Sequence, residues 1–282
     1  MNIGVLYSRV RGDEKLIFAA IERAGHTLVR LNSEERAYWL DQGSLALGAE
    51  VVIDRCVSST QALYISELLE KRGVLVVNRY EVIKTCENKL YTNLALEKAH
   101  VPTPKVRVAF SSASALQAIE EMGYPVVIKP TTGSWGRLLA LVENRSAAEA
   151  VLEHKETLGT YHHSIFYIQK YVDKPGRDIR AFVVNGEAIC AIYRDSPHWI
   201  TNTARGGRAS NCPVTSEMAD LCQCTSAAVG GGFLAMDIFE TADGLVINEI
   251  NHAMEFKNSE LPTSVSISGA IVDYAVSVAR MR

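Results

Sequence analysis

Three side chains with oxygen donors lie near the end of the sequence, at Asp237, Glu249 and Asn251. The apolar runs 236–239 and 245–251 predict two strands, and residues 241–244 predict the turn of an antiparallel hairpin. Because side chains alternate along a strand, Asn251 shares a face with Glu249, and Asp237 can lie beside them. Two carboxylates and an amide oxygen suit Mg²⁺ rather than zinc, and substrate phosphates usually complete a Mg²⁺ site. The hairpin therefore predicts a magnesium–nucleotide site.

A surface hairpin with ordinary acidic residues is the alternative. Glu249 and Asn251 interrupt an apolar run, however, and an unpaired carboxylate in such a run would be costly. We therefore favour the metal site.

A second segment predicts phosphate contacts. The strand 124–130 carries Lys129 near its end, and a loop of small residues, 131–137, connects it to a strand at 138–142. Gly133 lets backbone N–H groups approach phosphate oxygens, and the ammonium of Lys129 needs an anion. The loop is not a P-loop, which would place Gly-Lys-Ser/Thr at the start of a helix. Taken alone, it is equally consistent with an ordinary hairpin that carries a surface lysine.

The elements that must position these residues alternate between strands and helices. A small parallel α/β domain is predicted by strands at 3–7, 27–31, 51–53 and 73–78 and helices at 13–24 and 59–72. No G-x-G-x-x-G follows its first strand, which disfavours dinucleotide binding. One helix is predicted over 81–98, and the prolines at 102 and 104 indicate a linker to a new domain.

The second half of the chain has fewer helices. Helices are predicted at 112–122, 146–157 and 215–229 and a strand at 164–171. The dipeptide Asn185-Gly186 between apolar runs predicts a tight β-hairpin. The polar, Gly-rich stretch 200–207 predicts an active-site loop.

Composition narrows the class of protein. The chain has 282 residues, of which 48% are hydrophobic and 22% charged, and its net charge is −3. This composition is ordinary for a globular protein with two or three compact units and gives no general affinity for nucleic acid. We expect no signal peptide and no membrane span, and so a cytoplasmic enzyme. The six cysteines are scattered, which argues for reduced structural thiols rather than zinc.

Together the motifs resemble the ATP-grasp carboxylate–amine ligases of the ribosomal-S6-modification type. The resemblance covers nearly the whole chain and is nearest to the LysX and ArgX ligases, which join α-aminoadipate or glutamate to the C-terminal glutamate of a small acidic carrier protein, LysW. It rests on Lys89, Lys129, 133–137, 169–172, 178–180, 202–207, Asp237 and 248–251, with cues for this subgroup at 77–79, 198–207 and 251–259.

The resemblance implies an α/β (α+β) architecture, the ATP-grasp fold. Residues 1–88 would form a parallel-sheet pre-ATP-grasp domain, and 89–170 a central subdomain with a phosphate lid. Residues 171–282 would form an antiparallel-sheet subdomain with the metal and substrate sites. Members of the family form homo-oligomers, so a homo-oligomer is implied as well.

The resemblance also implies site residues. ATP would contact Lys89, Lys129, Gly133, Ser134, Trp135, Gly136, Arg137, Gln169, Lys170, Tyr171, Val172, Asp178 and Asn202. The amino acid would contact Arg194, Thr203, Ala204, Glu255, Phe256, Lys257, Asn258 and Ser259. Asp237, Glu249 and Asn251 would hold Mg²⁺, with two ions expected.

The implied chemistry is consistent with these residue types. A carboxylate becomes a good electrophile once its oxygen is converted to a phosphate leaving group, and this transfer needs cations that neutralise charge. Arg180 and Arg205 suit the acyl phosphate, because guanidinium binds oxyanions in a bidentate manner. An amine then attacks to give an amide, ADP and phosphate, without a covalent enzyme nucleophile.

Two neighbouring residues, Asn258 and Ser259, bear on the choice of substrate. In the family, an Asn-Ser or Asn-Thr pair at 258–259 goes with aminoadipate and Gly-Phe with glutamate, and Asn258 and Ser259 can donate to a carboxylate one methylene farther out. We therefore predict an aminoadipate ligase of lysine biosynthesis, with an acidic carrier steered by Arg205 and Arg208. The same reaction with glutamate, in arginine biosynthesis, is an alternative. Glutamate ligation to a ribosomal protein or cofactor is also open, because such enzymes share the ATP site. A non-catalytic nucleotide sensor is disfavoured by the intact Asp237, Glu249, Asn251 and Arg205.

Overall fold

The computed structural model describes residues 1–40, 45, 47–133, 138–159, 165–201 and 208–281. The described residues form three β-sheets, one of them parallel and two antiparallel. No helix among them is long and apolar enough to cross a membrane.

The N-terminal sheet is parallel, as predicted, with strand order β2-β1-β3-β4. Its strands are β1 (Asn2–Tyr7), β2 (Thr27–Asn32), β3 (Val51–Asp54) and β4 (Val76–Val77), and its helices are α1 (Gly12–Arg23) and α2 (Ser59–Lys71). Alternate residues of β1 enter different cores, because Ile3 and Val5 face α1 whereas Leu6 lies on the side of α2. The last strand is only two residues long, shorter than the predicted 73–78.

A helix break separates this sheet from the next one. The helix predicted over 81–98 is in fact two helices, α3 (Tyr80–Glu87) and α4 (Lys89–Lys98). Asn88 lies between them and caps α4, with its side-chain oxygen accepting from the N–H groups of Leu90 and Tyr91 at 3.0 and 3.4 Å. A side chain that satisfies these N–H groups favours a helix start over continuation. The break places Glu87 at the end of one helix and Lys89 at the start of the next.

The central sheet is antiparallel, with order β5-β8-β6-β7. Its elements are β5 (Val106–Ala109), α5 (Ser112–Met122), β6 (Val126–Lys129), β7 (Ala140–Val142), α6 (Arg145–Leu158) and β8 (Phe166–Lys170). The two helices cover one face and enclose a separate small core around Ile119, Ile128, Leu152 and Phe166. Lys129 is therefore the last residue of an inner strand.

The C-terminal sheet is antiparallel, with order β11-β10-β9-β12-β13. Its elements are β9 (Arg177–Val184), β10 (Glu187–Asp195), β11 (Arg208–Cys212), α7 (Ser216–Val229), β12 (Phe233–Thr241) and β13 (Gly244–Asn251). Asp237 pairs directly with Glu249, which confirms the predicted hairpin register. A bulge beside this pair leaves Asn248 without a partner in register, and a bulge of this kind re-aims a side chain.

Both faces of the C-terminal sheet are buried. Ile179 and Met236 pack in the core beneath α7, whereas Phe182 and Phe233 belong to a core shared with the N-terminal sheet. After the short α8 (Glu260–Thr263), the last helix, α9 (Ile267–Arg280), packs in this shared core. Helix α9 was not predicted from the sequence, although a signal for it was present. Ser266 caps the helix, and its buried apolar residues recur at helical spacing: Ile267, Ile271, Val272, Ala275 and Val276.

Asn78 connects the N-terminal sheet to the C-terminal one. Its side-chain amide donates to the carbonyls of Phe233 and His252 at 2.9 and 2.7 Å, and its oxygen accepts from the N–H of Phe233 at 2.7 Å. The side chain is buried. All three partners are backbone groups, which must be satisfied when they are buried.

Replacement of Asn78 by Ala should lower the free energy of unfolding by ~3 kcal/mol, because each buried group left without a partner costs ~1–3 kcal/mol. Urea denaturation would measure this loss. Asn211, which is exposed on the edge strand β11, provides the control, since Asn211→Ala should change stability by less than about 0.5 kcal/mol. Equal effects of the two substitutions would contradict the role assigned to Asn78.

Candidate active site

A network of buried charges lies on one face of the C-terminal sheet. Arg180 pairs with Asp237 across strands, and Arg194 pairs with Asp178. Arg180 donates to both oxygens of Asp237 at 2.8 and 2.9 Å, and Arg194 donates to both oxygens of Asp178 at 2.7 Å. Arg194 also lies 3.1 Å from Asp237, so the four side chains form one chain of alternating charge.

Asp237 is only 3% exposed, so its charge depends on these guanidinium groups. Burial works to raise the pKa of Asp237, but Arg180 and Arg194 outweigh it and lower the pKa to about 2. The same carboxylates raise the pKa of Arg194 against its own burial. Asp237 and Arg194 therefore stay ionised at neutral pH.

Two lysines face this network from the central sheet and from α4. Lys89 lies 3.3 Å from Glu249 and donates to the carbonyl of Gly133 at 2.9 Å. Lys129 donates to Gln169 and Asn248 at 2.8 and 3.0 Å. The pKa of Lys129 is lowered to about 8, chiefly by burial; Glu249 acts against this effect, and the neighbouring lysines 89 and 174 add to it. A buried ammonium with neutral partners is suited to an incoming anion.

A first cleft of about 720 Å³ opens between the central and C-terminal sheets. The predicted nucleotide and metal residues that line it are Lys89, Lys129, Gly133, Gln169, Tyr171, Val172, Asp178, Asp237 and Glu249. Lys174, Thr201 and Asn248 also line it. Thr201 and Asn248 belong to predicted motifs but were given no role of their own, and Lys174 was not predicted. Asn248 interrupts the same apolar run as Glu249, so the signal that identified Glu249 was available for it.

Lys170 is the one described residue of the predicted nucleotide set whose side chain leaves the first cleft. Its ammonium donates to the carbonyls of Met122, Gly123 and Tyr124, with the shortest distance 2.9 Å, to Gly123. These carbonyls follow the end of α5, where lysine is a common partner of unpaired carbonyls. Strand alternation explains the difference, because Gln169 and Tyr171 on either side line the cleft.

A second cleft of about 1020 Å³ lies between the N-terminal and C-terminal sheets. The predicted residues that line it are Gly133, Arg180, Arg194, Asp237, Glu249, Asn251 and Glu255. The N-terminal part of the chain adds Arg11, Ser59 and Glu87, which the sequence analysis did not identify. Asp237 and Glu249 line both clefts, so the carboxylate pair lies where the two meet.

The predicted substrate segment 255–259 meets this cleft only through Glu255, which lies 3.1 Å from Arg11. Phe256 instead packs in the shared core, and its N–H and that of Lys257 donate to Asp13 at 2.6 and 2.8 Å. Lys257 and Asn258 are exposed, and Ser259 is buried at the start of α8. Asp13 holds this segment against α1, away from the described cleft, and its contact with the amino acid stays a prediction.

The remaining predicted residues lie outside the described part of the chain. They are Ser134, Trp135, Gly136 and Arg137 of the lid and Asn202, Thr203, Ala204 and Arg205 of the Gly-rich loop.

The donors at the junction of the clefts fit Mg²⁺. Asp237 and Glu249 supply hard carboxylate oxygens on adjacent strands, and Asn251 follows on the same face. The amide nitrogen of Asn251 is buried and has no hydrogen-bond partner among the described residues. No group of three or more His, Cys, Asp or Glu side chains placed to hold a metal occurs in the described ranges, so the protein donors would be two carboxylates and one amide.

Comparison with known proteins agrees with this geometry. The RimK-like ATP-grasp domain matches residues 86–275, and the LysX pre-ATP-grasp domain matches residues 3–85. The chain is 36% identical to the alpha-aminoadipate–LysW ligase LysX of Sulfurisphaera tokodaii, over 96% of this chain and 97% of the relative. It is 32% identical to the glutamate–LysW ligase ArgX of the same organism, over 97% and 98%.

A solved structure has the same architecture. The crystal structure of a RimK domain ATP-grasp protein from Sphaerobacter thermophilus matches with a TM-score of 0.82 and 26% identity, over 98% of this chain and 100% of that chain. The predicted ATP-grasp fold is therefore confirmed, and ligases with this fold use ATP with Mg²⁺. The chain belongs to the RimK-like ATP-grasp family of ATP-dependent carboxylate–amine ligases.

Proposed function

We propose that this protein joins the α-amino group of L-2-aminoadipate to the γ-carboxyl group of the C-terminal glutamate of a small acidic carrier protein of the LysW type. The main support for this proposal is the position of Asp237 and Glu249, which line both clefts. A phosphoryl donor in the first cleft and a carboxylate acceptor in the second would meet at these residues. The LysX relative, which spans nearly the whole chain, supports this choice of amino acid and carrier.

The first cleft would bind ATP. Lys89 and Lys129 would contact the phosphates, because both ammonium groups lie at the carboxylate pair and Lys129 has only neutral hydrogen-bond partners. Asp237, Glu249 and Asn251 would hold Mg²⁺, with two ions expected. Bound there, Mg²⁺ would neutralise charge on the transferring phosphoryl group.

Arg180 would act on the acceptor side. It lines the second cleft, and its guanidinium binds Asp237 in the bidentate manner that also suits a phosphate. The carrier carboxylate would take the γ-phosphoryl group of ATP and become an acyl phosphate, releasing ADP. The amine of aminoadipate would then form the C–N bond as the C–O bond to phosphate breaks. Attack by an enzyme thiol is not needed, and burial raises the pKa of the cleft residue Cys86 to about 12.

Glutamate is the second candidate substrate, because the ArgX relative covers the chain as completely as LysX does. The two amino acids differ by one methylene group, which a pocket discriminates by only ~1–3 kcal/mol. We also propose that the protein forms a homo-oligomer and that the positive charge of Arg208 steers the acidic carrier towards the site.

The reaction can be tested by mass spectrometry. The enzyme, a carrier with a C-terminal glutamate, ATP, Mg²⁺ and an equimolar mixture of aminoadipate and glutamate should give a carrier heavier by one aminoadipate residue. The ratio of kcat/KM values for the two amino acids should be about 10–200 in favour of aminoadipate. A carrier that lacks the last glutamate is the control. Exclusive addition of glutamate would refute the choice of substrate.

Glu249→Gln should lower kcat at least about 100-fold, because a magnesium clamp contributes several kcal/mol to phosphoryl transfer. The fold should persist, since Glu249 is 26% exposed and its one ion pair among the described residues is with Lys89. ADP formation measures the loss. Glu240→Gln, on the partner strand and paired with Arg177 outside both clefts, should retain turnover. Wild-type rates in Glu249→Gln would exclude this carboxylate from the metal site.

Nucleotide binding should also take up protons. An anion beside Lys129 favours its charged form, so its pKa should rise from about 8 towards the ordinary 10.5. Near pH 9, Lys129 is therefore largely deprotonated in the free protein and largely protonated in the complex. Calorimetric titration with a magnesium–ATP analogue in two buffers of different ionisation enthalpy reports the uptake. Lys129→Met should abolish the proton uptake. The control variant Lys98→Met, at an exposed lysine, should retain it. Identical uptake in the wild type and both variants would contradict the assignment of the uptake to Lys129.

A further inference from the structure

One carboxylate of the second cleft has no cationic partner in the described part of the chain. Glu87 is the last residue of α3 and lines this cleft. One of its oxygens accepts from the hydroxyl of Ser59. The other oxygen is buried, and no donor among the described residues reaches it.

The other carboxylates of this cleft are all paired. Asp237 binds Arg180, Glu249 lies beside Lys89, and Glu255 lies beside Arg11. Lys89 follows Glu87 closely in sequence, but its ammonium is directed to Glu249 and Gly133. Glu87 is thus the exception among the cleft carboxylates that the structure describes.

The missing partner makes the position of Glu87 unfavourable. Its buried oxygen has lost its hydrogen bonds to water and gains none from the described residues. Natural sequences keep such unfavourable arrangements mainly where a ligand resolves them. The ligand that resolves this one is a cation with hydrogen-bond donors.

The guanidinium groups in the same cleft define the rest of the ligand. Arg11 and Arg180 line the cleft together with Glu87. Both are already ion-paired, Arg11 with Glu14 and Glu255 and Arg180 with Asp237, so substrate carboxylates would share these guanidinium groups, whereas Glu87 has no cationic partner among the described residues. A dicarboxylic amino acid carries this combination of charges, with two carboxylates and one ammonium. A dicarboxylic acid without the amino group would leave Glu87 unpaired.

We propose that Glu87 binds the α-ammonium group of the amino-acid substrate by charge-assisted hydrogen bonds and positions its nitrogen, which attacks as the neutral amine after one proton has passed to solvent. This inference rests on the proposed function, because it assigns the second cleft to the amino acid. It adds a substrate-binding residue from the N-terminal part of the chain. It also gives α3, which ends at the cleft, a direct part in substrate recognition.

Calorimetric titration of the full chain, loaded with Mg²⁺ and a non-hydrolysable ATP analogue, can isolate this contact. Aminoadipate is compared with hexanedioate, which has the same two carboxylates and no amino group. Wild-type protein should bind aminoadipate at least about 10-fold more tightly, as expected for hydrogen bonds between charged groups. Glu87→Gln keeps the size of the side chain and an acceptor for Ser59. It should bind aminoadipate at least about 10-fold more weakly than wild type and hexanedioate equally well.

Glu81→Gln is the matched control, because Glu81 is an exposed carboxylate on the same helix, near Lys84. It should behave as wild type with both ligands. Unchanged aminoadipate affinity in Glu87→Gln, or an equal loss for both ligands, would overturn the role of Glu87 while leaving the proposed function intact. A wild-type protein that binds neither aminoadipate nor glutamate and does not modify the carrier would instead overturn the proposed function, and this inference with it.

Discussion

The structure depends on the burial of charge in a sheet that is covered on both faces. Asp178, Arg194, Asp237 and Arg180 alternate in sign across three strands, and three of the four are almost completely buried. Removing one partner from such a chain leaves a buried charge uncompensated, which is far more costly than the net gain of any single pair. The register of β9, β10 and β12 is therefore fixed by electrostatics as well as by apolar packing. The remaining polar groups of the site are placed relative to this rigid base.

Small departures from regular secondary structure complete the site. The bulge in β13 allows the neighbouring residues Asn248 and Glu249 to line the same cleft, which strict alternation would forbid. The helix break at Asn88 lets Lys89 reach Glu249 while Glu87 faces the second cleft. Both irregularities bring polar groups that are close in sequence into the two clefts, where regular elements would direct them apart.

Sequence reasoning succeeded where a local pattern determines geometry. The pairing of Asp237 with Glu249 follows from two apolar runs and a turn, and the parallel N-terminal sheet follows from alternating strands and helices. It could not anticipate contacts between residues that are distant in the chain. Phe256 was expected at the substrate, but Asp13, more than 200 residues earlier, accepts from its backbone. The role of Arg11 depends in the same way on Glu255, at the opposite end of the chain.

The packing of α9 in the shared core has a consequence for synthesis on the ribosome. The strands of the N-terminal sheet are made first, but part of one apolar face is covered by the last helix and by the C-terminal sheet. That face can be fully covered only after residues 267–280 have left the ribosome. Until then the nascent chain exposes apolar strands, a state prone to aggregation and bound by chaperones. The loops to be closed span most of the chain, so this step is slow compared with local helix formation.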